Sequence, residues 1–449
     1  MKQLFTSFAV LALASLAAAH VRVVSASGPH TTIQAAIDVS RDDDVILVKS
    51  GTYPSFAVRG KSLVIAEDVG HTVRINGPIR IGGIDGTRTV TLMGLENVAG
   101  TTATITTAYG LRVTNSSGLV FVQDCTLRAP VIATTDVQVL TQPRPALLVE
   151  NSLSVVLSHC TVAGGPSVAG QSPNYPTAGL PYISGVPSEG AYLANSGVSF
   201  FESTVTGGPA VNGYIDGSDG GHAIWSVGSA LFLCRTSVIG GDGGNGNCLG
   251  YGCDVGAAAG DGGHGVFAPS GTACITRATT PSGGLRGRFV VGWFGAVANN
   301  CDGVPGDPGC TSILGNNGTS VVLAGGSTRV TQPATTERLF ASTIVRERAT
   351  GQLTFNADVG ANVARWSSRV GIASYDPVSQ SIQVTSFGPS YRTTPVGVAA
   401  SAPLLDPIPV PKPLPDGPHR LVFYQGAHTT AAGLRLGTPR ALLMLDASY

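Results

Sequence analysis

The sequence predicts an all-β chain, a parallel β-helix with a short helix at its start, followed by a small antiparallel β-sandwich. Three observations carry this. Five stretches between residues 110 and 284 share one pattern: an alternating apolar run, a small polar turn and a second alternating run. Short runs with period two read as strands, and nothing in this region keeps helical spacing. The chain is also poor in charge and rich in glycine, with 12% charged residues and 60 Gly in 449. An ordinary domain carries roughly 25% charge.

The first segment is an address. Lys2 precedes an apolar run over residues 4–16 and then Ala17-Ala18-Ala19. These are the n-region, h-region and A-x-A site of a signal peptide over residues 1–19. A membrane span takes about 20 apolar residues, so the run is too short to be one. No later run is long enough either. The mature chain is expected to begin at His20, to be secreted or displayed at the cell surface, and to carry no membrane span. Export permits disulfides.

Ile33, Ala36 and Ile37 have the spacing of one short helix, with Thr31 or Thr32 as its N-cap. Asp42-Asp43-Asp44 leads into the apolar Val45-Ile46-Leu47-Val48 and the turn Ser50-Gly51-Thr52-Tyr53.

The repeats follow at residues 110–128, 146–165, 190–208, 223–241 and, more loosely, 263–284. Cys125, Cys160, Ser203 and Thr236 close the second run and lie 35, 43 and 33 residues apart. Irregular repeats of this length indicate a solenoid. Coils stacked at about 4.8 Å bury an aliphatic interior. Asn115, Asn151 and Asn195 stand ten, nine and eight residues before their anchors, where they could stack as an amide ladder.

Residues 32–38 (TIQAAID) and 43–53 (DDVILVKSGTY) together resemble the N-terminal cap and first coil of the pectin-lyase-like superfamily. The resemblance covers roughly residues 25–330 and implies a right-handed parallel β-helix. It spans pectate lyases, pectinesterases, polygalacturonases and adhesins, so it implies the fold rather than one activity. Gln123-Asp124-Cys125-Thr126-Leu127 is similar to a pectinesterase segment with one residue inserted, and Gly263-His264-Gly265 to one polygalacturonase element. The companion elements of both families are absent. Arg277, Arg286 and Arg288 could serve a lyase, but no lyase motif surrounds them.

Long insertions follow the same point of each coil, after Gly165, Gly208, Gly241 and Gly284. In a solenoid such insertions gather on one edge, and loops carry function more often than coils. Tyr175, Tyr182, Tyr214, Asp216, Asp219, Asp242, Tyr251, Asp261 and His264 are therefore the candidate binding residues. Between residues 150 and 262 there are eight acidic side chains and one basic, Arg235. That balance disfavours a polyanion at the loops and suits a neutral glycan, a basic partner or Ca²⁺. Zero net charge over the whole chain excludes a broadly basic nucleic-acid binder.

Glycine–aspartate runs at 240–247 and 260–264 are similar to Ca²⁺-binding loops, with Asp242, Asp254 and Asp261 as candidate ligands. The plainer reading is glycine turns. Cys248 with Cys253, and Cys301 with Cys310, are candidate local disulfides. Cys125 and Cys160 read as stacked buried thiols, and Cys234 and Cys274 as a candidate pair.

The anchors also align Asp124, His159, Glu202 and Arg235 in one column, Arg235 only if its coil holds one extra residue. Stacked, these could act as base, acid and electrostatic clamp on a glycan. Harmless pairing of alternating charges at a turn is the competing reading.

After about residue 330 the repeat stops, and short alternating segments separated by turns read as the sandwich over residues 331–449. It could cap the last coil. The functional expectation is an exported surface or matrix protein that binds glycan or another surface through the loop edge without catalysis. A polysaccharide lyase or hydrolase is the alternative, and an inert rod a third.

Overall fold

The computed structural model describes residues 20–98, 109–129, 145–166, 188–210, 217–249, 259–277, 279–286 and 317–332, with isolated strands between and beyond them. The signal segment lies outside these residues.

Each coil is one strand, a corner, a second strand, a second corner and a short third strand. In one coil these are Leu147–Glu150, Ser154–Ser158 and Thr161–Ala163. Strands at the same phase pair in parallel with their neighbours above and below, so the second strands build one ten-stranded sheet. This is a parallel β-helix. Alternation decides what lies inside. Val120, Val155, Val198, Leu231 and Cys274 are register partners along the axis and all face the core. Val122, Leu157, Phe200 and Leu233 form the next such row. Burying each aliphatic side chain stabilises the fold by roughly 1.5–3 kcal/mol.

The helix Ile33–Val39 covers the first coil with Ile33, Ala36 and Ile37. Thr32 is its N-cap, the Oγ1 accepting from the Ala35 N–H at 3.1 Å.

The corners are set by backbone handedness. Asn115, Asn151 and Asn195 hold φ of 50°, 48° and 49°, and Gly228 and Gly271 take the same place at 58°. Asn tolerates this left-handed conformation better than most residues. The Asn151 amide donates to Asn115 Oδ1 at 3.4 Å. The stack ends at Gly228, where a Cβ would lie 2.6 Å from Asn195 Oδ1. A buried hydroxyl row runs beside it: the Ser152 N–H donates to Ser196 Oγ at 3.1 Å, and the Ser196 N–H to Ser229 Oγ at 3.2 Å. Shortening the corner by one residue per coil absorbs the changing spacing, so the strands stay in register.

The insertions begin and end in glycine segments that form a second layer beside the coils. Hydrogen bonds zigzag through it from amide to carbonyl: Gly221 to Gly208, Gly241 to Gly221, Gly263 to Gly241, Gly284 to Gly263 and Gly318 to Gly284, each at 2.8–2.9 Å. A parallel row lies three residues away, where Gly260 N–H donates to Gly244 O and Gly244 N–H to Ser218 O. A repeat of three is that of the polyproline-II helix. The segments approach too closely for side chains: a Cβ on Gly240 would stand 1.9 Å from Gly263 O.

The outer face of the ten-stranded sheet is apolar as well. Leu119, Phe121, Val156, Phe201 and Phe232 are buried there with Ala441 and half-buried Leu421. Val45, Leu47, Val64 and Ala66 pack with Leu421, Leu443 and Leu445. The C-terminal strands pair antiparallel, as the sequence suggested. At Leu421, Ala441, Leu443 and Leu445 they cover the side of the helix. Whether the C-terminal sheets sandwich each other depends on side chains outside the described residues.

Cys125, Cys160, Cys234 and Cys274 are buried thiols rather than disulfides. Cys234 belongs to the outer cluster and Cys274 to the core, so they point to opposite faces of the sheet and cannot pair. Burial pushes the Cys160 and Cys274 thiols up to about 12. The side chains of Cys248, Cys253, Cys301 and Cys310 lie outside the described residues.

Candidate functional site

Asp124, His159, Glu202 and Arg235 stand at the second corner of successive coils. Gln123, Ser158, Phe201 and Cys234 are in register, so Arg235 joins the column with no extra residue. All four are left-handed, at φ 52°, 54°, 45° and 49°. Such strain costs of order 1–3 kcal/mol per residue and is tolerated where the surroundings dictate it. Here the next residue anchors the corner inward: the Cys160 N–H donates to Ser203 Oγ at 3.0 Å, and the Thr236 N–H to Thr279 Oγ1 at 3.0 Å.

The column is closed by its own pairing. Arg235 Nη2 lies 2.6 Å from Glu202 Oε1, and His159 Nε2 3.1 Å from Glu202 Oε2. Asp124 Oδ1 accepts from Arg440 Nη1 at 2.8 Å and Oδ2 from the Gln123 amide at 3.0 Å. Gln123 in turn clasps the backbone of Ala441, accepting its N–H at 2.6 Å and donating to its carbonyl at 3.3 Å. Burial, and secondarily Arg440, holds the His159 pKa below its ordinary value. Each carboxylate therefore faces a guanidinium, and the C-terminal strand lies over one end.

The candidate loop residues are distributed differently. Asp242 Oδ1 accepts from the Leu285 N–H at 2.8 Å, and Asp219 Oδ1 from the Asp261 N–H at 2.7 Å. These carboxylates tie glycine segments together, and no group of three candidate ligands converges on a metal position among the described residues. Tyr175, Tyr214, Asp216, Tyr251 and Asp254 lie outside the described residues, as does the side chain of Tyr182.

His264 leads to a surface that sequence reasoning missed. It is stacked on His222 with ring centroids 4.9 Å apart, and its backbone N–H donates to His222 Nδ1 at 3.0 Å. Phe267 lies over both rings, 4.7 Å from His222. Beside them Tyr192, Trp225 and Phe267 are successive register partners on the first strands of their coils. Trp225 is 6.2 Å from Tyr192 and 5.1 Å from Phe267 between centroids. All three are half-buried, with part of each ring at the surface. Trp225 Nε1 is buried and meets no acceptor among the described residues.

The same register row continues through Leu148 to Arg112 and Arg80. Five strand spacings make it about 24 Å long. Glu189, three residues before Tyr192, is buried, and its Oε2 meets no partner among the described residues. Burial pushes the Glu189 carboxyl up to about 7. Burial, reinforced by His264, pushes His222 down to about 4. A signal was present in the sequence: Arg112, Leu148, Tyr192 and Trp225 each stand three residues before the left-handed corner residue of their coil.

Comparison with family models and with curated proteins finds no match. Among solved structures a pectate lyase is similar at 10% identity and a TM-score of 0.29, over 75% of this chain and 86% of its own. A rhamnogalacturonan lyase is similar at 11% and 0.29, over 74% and 92%. The enzymatically active domain of a bacteriophage CBA120 tailspike protein is similar at 10% and 0.21, over 93% and 74%. Likeness of this size leaves the fold to be read from the strand register, and it assigns no residue a role.

Proposed function

We propose that the protein is exported and binds an extended glycan along the sheet face carrying Tyr192, Trp225 and Phe267, without cleaving it. The observation that carries this is the in-register row of three partly exposed aromatic side chains. A sugar ring presents an apolar face that packs on an aromatic ring, while its hydroxyls remain hydrated or bonded. A strand spacing of about 4.8 Å is comparable with the length of one sugar unit, so successive units could meet successive coils. The row lies on rigid strands, and rigid anchors lose little entropy on binding.

The ligand is read as polysaccharide from a cell surface or matrix, in keeping with the N-terminal address segment. The site differs from the loop edge expected from the sequence. The test is affinity for a panel of neutral and acidic oligosaccharides, measured on residues 20–449. Retention of one or more by wild type, with loss in Trp225→Ala, supports the reading. Equal retention by both proteins defeats it.

The contact of His159 with Glu202 favours a second reading, a polysaccharide lyase or hydrolase acting at the corner column. It predicts new reducing ends or unsaturated products on the same panel, with Ca²⁺ or with chelator, and their loss in Glu202→Gln.

A further inference from the structure

The far end of the sheet face has a different chemistry from the aromatic end. Arg59, Arg80 and Arg112 line a cleft of about 490 Å³ whose remaining wall is Val58, Ile81, Thr114, Asn115 and glycines. The glycines make the notch: Gly60 and Gly83 turn the chain at φ 56° and 66°, and neither carries a side chain to fill it.

Arg80 and Arg112 are direct register partners on adjacent strands. Like charges so placed repel, and folding alone gives no reason to put them there. The compensation is partial. Tyr109 lies by both guanidinium carbons, 6.0 and 5.6 Å from its ring centre, and its hydroxyl accepts from Arg80 Nε at 3.2 Å. Cation–π contact of this kind fixes direction more than it neutralises charge. Glu150 takes Arg112 Nη2 at 2.9 Å. Neither Arg59 nor Arg80 meets a carboxylate among the described residues. Three guanidiniums therefore share one carboxylate in a concave site, with two of them oriented by one tyrosine.

We infer that this cleft binds an oxyanion carried on the glycan, a carboxylate or a sulfate ester, and so selects an acidic polysaccharide in one orientation along the face. The guanidinium fork matches either group bidentately. The inference rests on the glycan reading of the same face and adds the charge of the ligand. It also reverses the expectation drawn from the acidic insertions: Asp219, Asp242 and Asp261 lie on the glycine layer, whereas the face itself is basic at one end and aromatic at the other.

The test is calorimetric titration at low salt with a galacturonate tetramer, a sulfated tetrasaccharide, a neutral galactose tetramer and inorganic sulfate. One charged tetramer should bind at least tenfold more tightly than the neutral one, and which one it is identifies the group. Arg80→Gln and Arg59→Gln should each remove most of that preference. Arg59 is exposed and makes no ion pair among the described residues, so its variant keeps the test valid if Arg80→Gln fails to fold. Equal affinity for charged and neutral tetramers overturns the inference, as does a preference that survives in both variants. Inorganic sulfate binding as tightly as the charged tetramers would also overturn it, leaving only a site for small ions. Trp225→Ala separates this from the aromatic reading. If it weakens all tetramers alike, both stand. If it changes nothing while Arg59→Gln abolishes the charge preference, the aromatic reading fails and the oxyanion site remains.

Discussion

The corner column and the sheet face are built by the same coils and the same register, yet one is closed and the other open. At the corner, Asp124 and Glu202 each meet a guanidinium, and the strand bearing Arg440 lies on the row. On the face, the rings of Tyr192, Trp225 and Phe267 are partly exposed, and Arg59 and Arg80 meet no carboxylate among the described residues. Stacking brings side chains together in both places. Whether a ligand could use them depends on what has already satisfied them.

The largest effect should come from the layer that presents the face. The glycine segments run directly into His222 and His264, so they position the aromatic end. Gly240→Ala places a methyl 1.9 Å from Gly263 O, with backbone on both sides and no side chain to move aside. A loss of about 4 kcal/mol or more is expected, seen as a large fall in Tm. Gly83→Ala is the control: it has nothing within 4 Å and carries only the cost of φ 66°, about 1 kcal/mol. Equal losses would show that the layer is not packed as described.

Next comes pH. Glu189 is raised to about 7 from 4.5, so its contribution is complete below pH 4.5 and is lost as pH rises through 7. His222 is lowered to about 4 from 6.5, so its contribution is complete above pH 6.5 and is lost as pH falls toward 4. Stability should therefore pass through a maximum in mildly acid solution. Each shift is worth on the order of 3 kcal/mol at ~1.4 kcal/mol per pKa unit, but the two windows overlap with opposite sign, so the maximum stands less than ~1 kcal/mol above either limb. Glu189→Gln should leave the His222 term unopposed, so that stability rises by on the order of 2 kcal/mol from pH 5 to pH 8 while the wild type changes little. Denaturant titrations at pH 5 and pH 8 measure this, and a variant profile as flat as that of the wild type would contradict it.

Smaller effects distinguish the two regions. Trp225→Ala should weaken glycan binding about tenfold or more, the scale of one lost aromatic anchor, with the fold retained by circular dichroism. Glu202→Gln should lower stability by about 1 kcal/mol, because the pair is roughly one-quarter exposed and partly screened. It should leave glycan binding unchanged.

Much of this architecture was legible. The alternating runs, the Asn corners and the anchors Cys125, Cys160, Ser203 and Thr236 gave the coils, because period two and a repeated left-handed corner are local properties. The column Asp124 to Arg235 followed from the same alignment. Its closure did not, since Arg440 lies 316 residues from Asp124 in sequence. The apolar outer face was readable in principle: Phe121, Val156 and Phe232 alternate with core residues on continuous apolar strands, the mark of a sheet buried on both faces. The glycine layer was not. Its order comes from hydrogen bonds between segments tens of residues apart and from side chains that are absent, and glycine runs look alike whether loose or close-packed. Tyr192 and Trp225 belong to no motif, and only their outward phase on the first strands, three residues before the corner, marks them.

The most direct test is one binding series at pH 7 with wild type, Trp225→Ala and Glu202→Gln on the same immobilised acidic and neutral glycans. An open face and a closed column predict retention of wild type and Glu202→Gln, and loss of Trp225→Ala. Retention of Trp225→Ala with loss of Glu202→Gln would contradict the account and move the site to the corner column.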